Sequence, residues 1–175
     1  MGSDGLPYEK RVDKKGKVLS DTCIQDEVPF EIPNTWIWAR LGDLITLLSG
    51  TDLKPSQYND RKEGIPYITG ASNFSSENII ENRWTTNATR ISKKGQLLFT
   101  CKGTIGEMAI NSFNEAHIAR QVMAIIPFIQ ASQPFIAIFL KAVISYLKSN
   151  AKGVIPGIER ATILNLLIPL PPLAE

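Results

Sequence analysis

Lys102-Gly-Thr-Ile-Gly106 sets an ammonium, a hydroxyl and glycine backbone with free N–H groups within one short turn. A turn of that make-up suits an anionic, hydrogen-bonding partner, and a tight structural hairpin would look the same. Other turn-like stretches carry comparable groups. Lys54, Gln57, Arg61 and Lys62 fall in the polar stretch 51–64, Ser72 and Asn73 in 70–74, Lys93 and Lys94 before Gly95, and Lys152 before Gly153. Asn and Gln can pair bidentately with adenine, Arg and Lys with guanine, and Ser and Thr with either. Lys and Arg also neutralise phosphates. With Lys102 and Thr104 these residues form a candidate nucleic-acid-contacting set, although each type is also a common turn former or solvated charge.

Covalent chemistry has little support. His117, the one histidine, lies between Ala116 and Ile118 with no serine or cysteine elbow near it, which fits a structural side chain. Gly103-Thr-Ile-Gly106 lacks the spacing and the Lys-Ser/Thr ending of a P-loop. It matches the bare four-residue signature of a KH clamp without the flanking helix pair. Asp13-Lys-Lys15 and Asp52-Leu-Lys54 match the acid-any-lysine fragment of metal-dependent nucleases, again without a supporting strand. The acidic residues form no obvious pair for acid–base work, and no His/Cys cluster has zinc spacing. The expectation is a binding module with no catalytic residue, metal or cofactor of its own.

The elements that would position these turns are legible in part. Leu97 to Phe99 and Met108 to Ile110 read as strands flanking the glycine-rich turn. Ile65 to Thr69 reads as a strand, with Pro66 confining it to an edge or a strand start. Arg120 to Phe128 reads as a central strand. Leu41, Leu44, Ile45 and Leu48 fall at helical spacing, and the β-branched content leaves room for a short helix running into a strand. The clearest helix spans Pro134 to Ala151, with Phe135, Ile138, Phe139, Ala142, Val143, Tyr146 and Leu147 as its apolar stripe. A short helix follows at Glu159 to Asn165. Strands and helices do not alternate regularly. The fold class is therefore α+β, a mixed, mostly antiparallel sheet with hairpins, one long helix in the C-terminal half and one or two short ones.

The 175 residues suffice for one well-buried domain, and the 43% hydrophobic and 21% charged fractions are those of a folded protein. No apolar run is long enough to span a membrane. Cys23 and Cys101 lie far apart and suit a reducing cytoplasm. The net charge of +2 is too mild to identify a nucleic-acid binder, but Lys10 to Lys17 holds five basic residues against Asp13 alone. Residues 1–30 read as an extended N-terminal arm whose first five residues look like a cloning remnant, and 31–175 as a single domain.

Ordered pieces along the chain resemble the specificity (S) subunits of type I restriction–modification enzymes. They are Leu6-Pro-Tyr-Glu-Lys10, Val28-Pro-Phe-Glu-Ile-Pro33, Trp36-Ile-Trp-Ala-Arg-Leu-Gly-Asp43, Ile65-Pro-Tyr-Ile68, Gly95 to Gly106, Gly153-Val-Ile-Pro-Gly157 and Leu166-Leu-Ile-Pro-Leu-Pro-Pro-Leu-Ala-Glu175. The resemblance implies one target-recognition domain, ending where a helical spacer would begin, that reads double-stranded DNA. It implies methyltransferase (modification) subunits and a restriction subunit as partners, no membrane, and S-adenosylmethionine, ATP and Mg on those partners only. Two other readings stay open. One is the recognition half of a fused methyltransferase–nuclease. The other is a protein-interaction domain using Trp36, Trp38 and the Pro-rich end.

Overall fold

The computed structural model describes residues 4–75, 78–151 and 153–172. Strands β1 (Tyr8–Val12) and β2 (Val18–Cys23) form a hairpin, followed by β3 (Ile37–Arg40), β4 (Ile45–Ser49), β5 (Ile65–Ile68) and β6 (Trp84–Thr85). Then come β7 (Ile91–Lys93), β8 (Leu97–Thr100), β9 (Met108–Ile110), β10 (Glu115–Ile118) and β11 (Val122–Pro127). The chain continues through helices α1 (Gln133–Ala142), α2 (Ile144–Ser149) and α3 (Arg160–Leu164) to β12 (Leu167–Leu170).

Two four-stranded sheets carry the domain, ordered β6-β5-β10-β7 and β4-β11-β8-β9, beside the two-stranded pairs β1-β2 and β12-β3. All described pairings are antiparallel except β5 with β10, where His117 faces Tyr67 and Ile118 faces Ile68. The α+β expectation holds, including the central place of β11 between β4 and β8.

The unbroken apolar runs at Leu97–Phe99 and Val122–Ile125 follow from this architecture. A strand buried on both faces need not alternate apolar with polar. Leu97, Phe99, Met123 and Ile125 pack with Ile45, Leu47, Ile136, Leu140 and Leu147 in a core between sheet and helices. Their neighbours Leu98, Val122 and Ala124 point the other way, into a second core with Ile68, Ala116 and Ile118 between the two sheets. Each fully buried side chain of this size contributes about 1.5–3 kcal/mol.

Several sequence expectations shift. The stretch read as one helix is interrupted at Val143, whose backbone (φ −94°, ψ 8°) leaves helical geometry. The buried stripe is Ile136, Phe139, Leu140 and Leu147, while Ile138 and Tyr146 face solvent. Ile144, the first residue past the break, lies over Gly106, where an added Cβ would come within 2.1 Å of its Cδ1. Of the two readings left open for Leu41 to Leu48, the short helix running into a strand holds: a 3-10 turn (Leu41–Asp43) leads into β4, whose pairing with β11 fixes the second half as strand. The expected N-terminal arm contains the β1–β2 hairpin. The segment after α3, unassigned from sequence, is a strand pairing with β3, more than a hundred residues away in the chain.

Candidate nucleic-acid interface

The ends of the two sheets present the candidate turns, and they fall into two groups. The first surrounds Ala119–Gln121, between β10 and β11. Thr51 N–H donates to Ile118 O (3.0 Å), Ala119 N–H to Ile68 O (2.9 Å) and Cys101 N–H to Gln121 O (2.8 Å). Gly50 meets this turn so closely that a Cβ there would lie 2.1 Å from Ala119 O, and Gly70 abuts Gln121. The turns starting at Thr51, Gly70 and Cys101 therefore converge on three residues. The 153–157 turn joins them, because Gly103 N–H donates to Pro156 O (3.0 Å) and Ile158 N–H to Cys101 O (2.8 Å).

Ser72 and Thr104 are exposed and Lys102 is half-buried at this end. Arg120 belongs with them, and sequence reasoning did not single it out. Its guanidinium pairs with Asp52 at 2.7 Å, and its N–H donates to the same carboxylate at 3.2 Å. The only sequence signal was a basic residue opening a strand. Lys152 lies outside the described residues.

The second group sits at the opposite end of the β5–β10 pair. Arg61 and Lys62 precede β5, while Lys93 and Lys94 lie at the end of β7 that pairs with the start of β10. Four residues of strand separate the two ends, roughly 13 Å. Here Arg61 pairs with exposed Glu63 at 3.2 Å, and Lys93 with Glu115. Lys62 adopts φ +62° and holds its ammonium 5.7 Å from the centroid of Trp84. Asn59 fixes this turn. Its Oδ1 accepts from Arg61 N–H (3.0 Å) and Glu63 N–H (3.1 Å), and its Nδ2 donates to Trp84 O. Exposed Lys54 and half-buried Gln57 lie on the stretch linking the two ends. Gln57 Oε1 already accepts from Lys54 N–H at 2.9 Å.

Two expectations need correction. Asn73 was a candidate base contact, but its side chain is fully buried. Its Oδ1 accepts from Thr69 N–H (2.8 Å), Thr69 Oγ1–H (3.0 Å) and Gly70 N–H (3.3 Å), and its Nδ2 donates to Ile80 O (2.8 Å). It stands in for a backbone turn and holds Ser72 outward. The glycine-rich turn was expected to offer free N–H groups. Gly103 N–H is taken by Pro156, Gly106 N–H donates to Thr100 O (2.9 Å), and Ile105 is buried in the core. The turn thus offers side chains rather than a backbone cradle.

The His117 ring and the Cys101 thiol are engaged in holding the fold. His117 Nε2 lies 2.9 Å from Thr51 O, and Nδ1 accepts from Thr89 and Arg90 N–H, each at 3.2 Å. That pattern requires a neutral ring with the proton on Nε2. Burial pushes its pKa below the usual histidine value, against an opposing pull from Thr51 O and Asp52. Burial raises the Cys101 thiol to about 11. Cys23 and Cys101 are both free. Among the described residues no group of three or more His, Cys, Asp and Glu is placed to hold a metal. No helix among them is long and apolar enough to cross a membrane.

Comparison with known proteins agrees with this architecture. The family model for the type I restriction modification DNA specificity domain matches residues 33–175. The putative type I restriction enzyme MjaX specificity subunit of Methanocaldococcus jannaschii is 27% identical over 153 residues, 83% of this chain and 35% of that protein. The crystal structure of the HsdS subunit from Thermoanaerobacter tengcongensis superposes with a TM-score of 0.68 at 21% identity, over 83% of this chain and 35% of that one. A chain from a type I R-M system, solved for its complex assembly and conformational transition, gives 0.69 at 22% identity over 83% and 36%. This chain spans about a third of the length of these relatives.

Proposed function

Because this chain belongs to the family of type I restriction modification DNA specificity domains, we propose that it reads double-stranded DNA sequence as a target-recognition domain. The observation that supports this most is the convergence of three turns from the two sheets on Ala119–Gln121, with the 153–157 turn joined to the third through Cys101 and Gly103. A rigid scaffold holding polar turns is how recognition residues are commonly placed. In this reading Lys102, Thr104 and Ser72 meet base edges, while Lys54, Arg61, Lys62, Lys93, Lys94 and Arg120 hold phosphates. Gln57 contributes once its bond to Lys54 is exchanged for a base.

The chain recognises and does not catalyse. Methyltransferase subunits carry S-adenosylmethionine and the base-modifying step, and a restriction subunit carries the ATP- and Mg-dependent cleavage, all in the cytoplasm. This division of labour is supported by the involvement of His117 and Cys101 in holding the fold. Duplex binding tests it. Lys102→Ala and Arg61→Ala should each weaken affinity without moving the unfolding midpoint; Arg61→Ala should lower the slope of log K against log salt by about 1, and Lys102→Ala should relax the sequence preference. Unchanged affinity in both would remove the assigned surface.

A further inference from the structure

The family match begins at residue 33, yet the densest positive charge in the chain lies before it. We propose that the β1–β2 hairpin is a sequence-independent phosphate clamp that grips duplex DNA through Lys14, Lys15 and Lys17. The proposal rests on the recognition reading above for its choice of duplex over other polyanions.

The charges on this hairpin are sorted by position. Along the strands they cancel, with Lys10 paired to Asp21 at 3.5 Å and Arg11 to Glu9 at 3.1 Å. At the tip they do not. The one acid there, Asp13, is turned into the loop, where its Oδ1 accepts from Lys15 N–H (2.8 Å) and Lys17 N–H (2.9 Å). Gly16 closes the turn at φ +81°, with its N–H on Asp13 O at 3.0 Å. Lys14, Lys15 and Lys17 are thereby held outward and exposed, and among the described residues no ion pair engages them.

The base of the hairpin is anchored while the rest stands clear. Arg40, on β3, donates to Glu9 Oε2 (2.8 Å), Glu27 Oε2 (2.7 Å) and Asn165 O (2.9 Å). Ile24 is buried just past β2, with its N–H on Pro7 O. Every residue of β2 and Lys10 to Val12 of β1 are exposed, so beyond its base the ribbon is left uncovered by the described domain. Two strands of five and six residues give an arm of roughly 17 Å. Acidic groups bind the base to the domain and cationic groups occupy the free end, the polarity that complements a phosphate backbone.

The test compares this chain with a variant carrying Lys14→Gln, Lys15→Gln and Lys17→Gln on a random-sequence duplex of about 30 bp, between about 50 and 200 mM salt. Three lost phosphate contacts at about 0.9 each should lower the salt slope by about 2.7. The loss should be equal on every duplex sequence, and Lys→Arg at the same positions should retain the slope. An unchanged slope, or a loss confined to one sequence, overturns the clamp. Unmodified protein that binds while the variant keeps its slope defeats the clamp alone. Unmodified protein that binds no duplex at low salt defeats both the clamp and the recognition reading.

Discussion

Replacing Asn73 with Ala separates a turn pin from a base reader. The substitution removes the acceptor for Thr69 N–H and Gly70 N–H and the donor to Ile80 O, three backbone groups held by one buried amide. A buried group left unpartnered costs about 1–3 kcal/mol, and some of the three will recover a water. The expected destabilisation is therefore about 3–5 kcal/mol, a large share of a typical domain's 5–15 kcal/mol. Urea unfolding followed by tryptophan fluorescence measures it, with the m-value expected to stay constant. Exposed Ser72→Ala serves as the neighbouring control and should change stability by no more than about 0.5 kcal/mol. An Asn73→Ala protein of unchanged stability that bound DNA more weakly would refute the turn-pin assignment and return Asn73 to the reading surface.

His117→Phe should cost about 3 kcal/mol or more, because Thr51 O and the Thr89 and Arg90 N–H groups lose their partner, again read by urea unfolding. In the unaltered protein the folded pKa of His117 lies below the unfolded value of 6.5, so its contribution is complete above 6.5 and fades as pH falls toward the folded value. That slope, at most about 1.4 kcal/mol per pH unit, should be absent in the Phe variant. Burial pushes the Glu9 carboxyl up, but hydrogen bonds from Arg40 and Arg11 outweigh it and hold it below its usual 4.5. The Arg40 hydrogen bond does the same for Glu27. The anchorage they give the hairpin is present above about 4.5 and is lost as pH falls further, so hydrogen exchange in β1–β2 should rise first there. Gly106→Ala should destabilise by more than about 1 kcal/mol in thermal melts, since φ is +94° and the new Cβ would strike Ile144.

Sequence reasoning reached the elements whose signal is local. The β8–β9 hairpin, β11 and α3 are bounded by turn residues and apolar runs that need no distant partner to interpret. It stopped short where a distant partner decides. For Leu41, Leu44, Ile45 and Leu48 it left a helical face and a short helix running into a strand both open, and pairing with β11 arbitrates for the second. The β12–β3 pairing joins chain segments too far apart for any periodicity to announce. In the candidate site the residue types were legible and their grouping was not. Nothing in the order of residues says that Lys102 and Ser72 share one end of the sheets while Lys93 shares the other with Arg61. Asn73 looked the same as an exposed asparagine because its burial depends on Ile80 and on the sheet behind it.

The claim that this domain reads sequence is tested most directly by selecting a random-sequence duplex library on the purified chain and sequencing what it retains. The account predicts convergence on one short motif, with the recovered duplexes unmodified and uncut. Retained DNA indistinguishable from the input library, or strands cleaved or methylated by the chain alone, would contradict it.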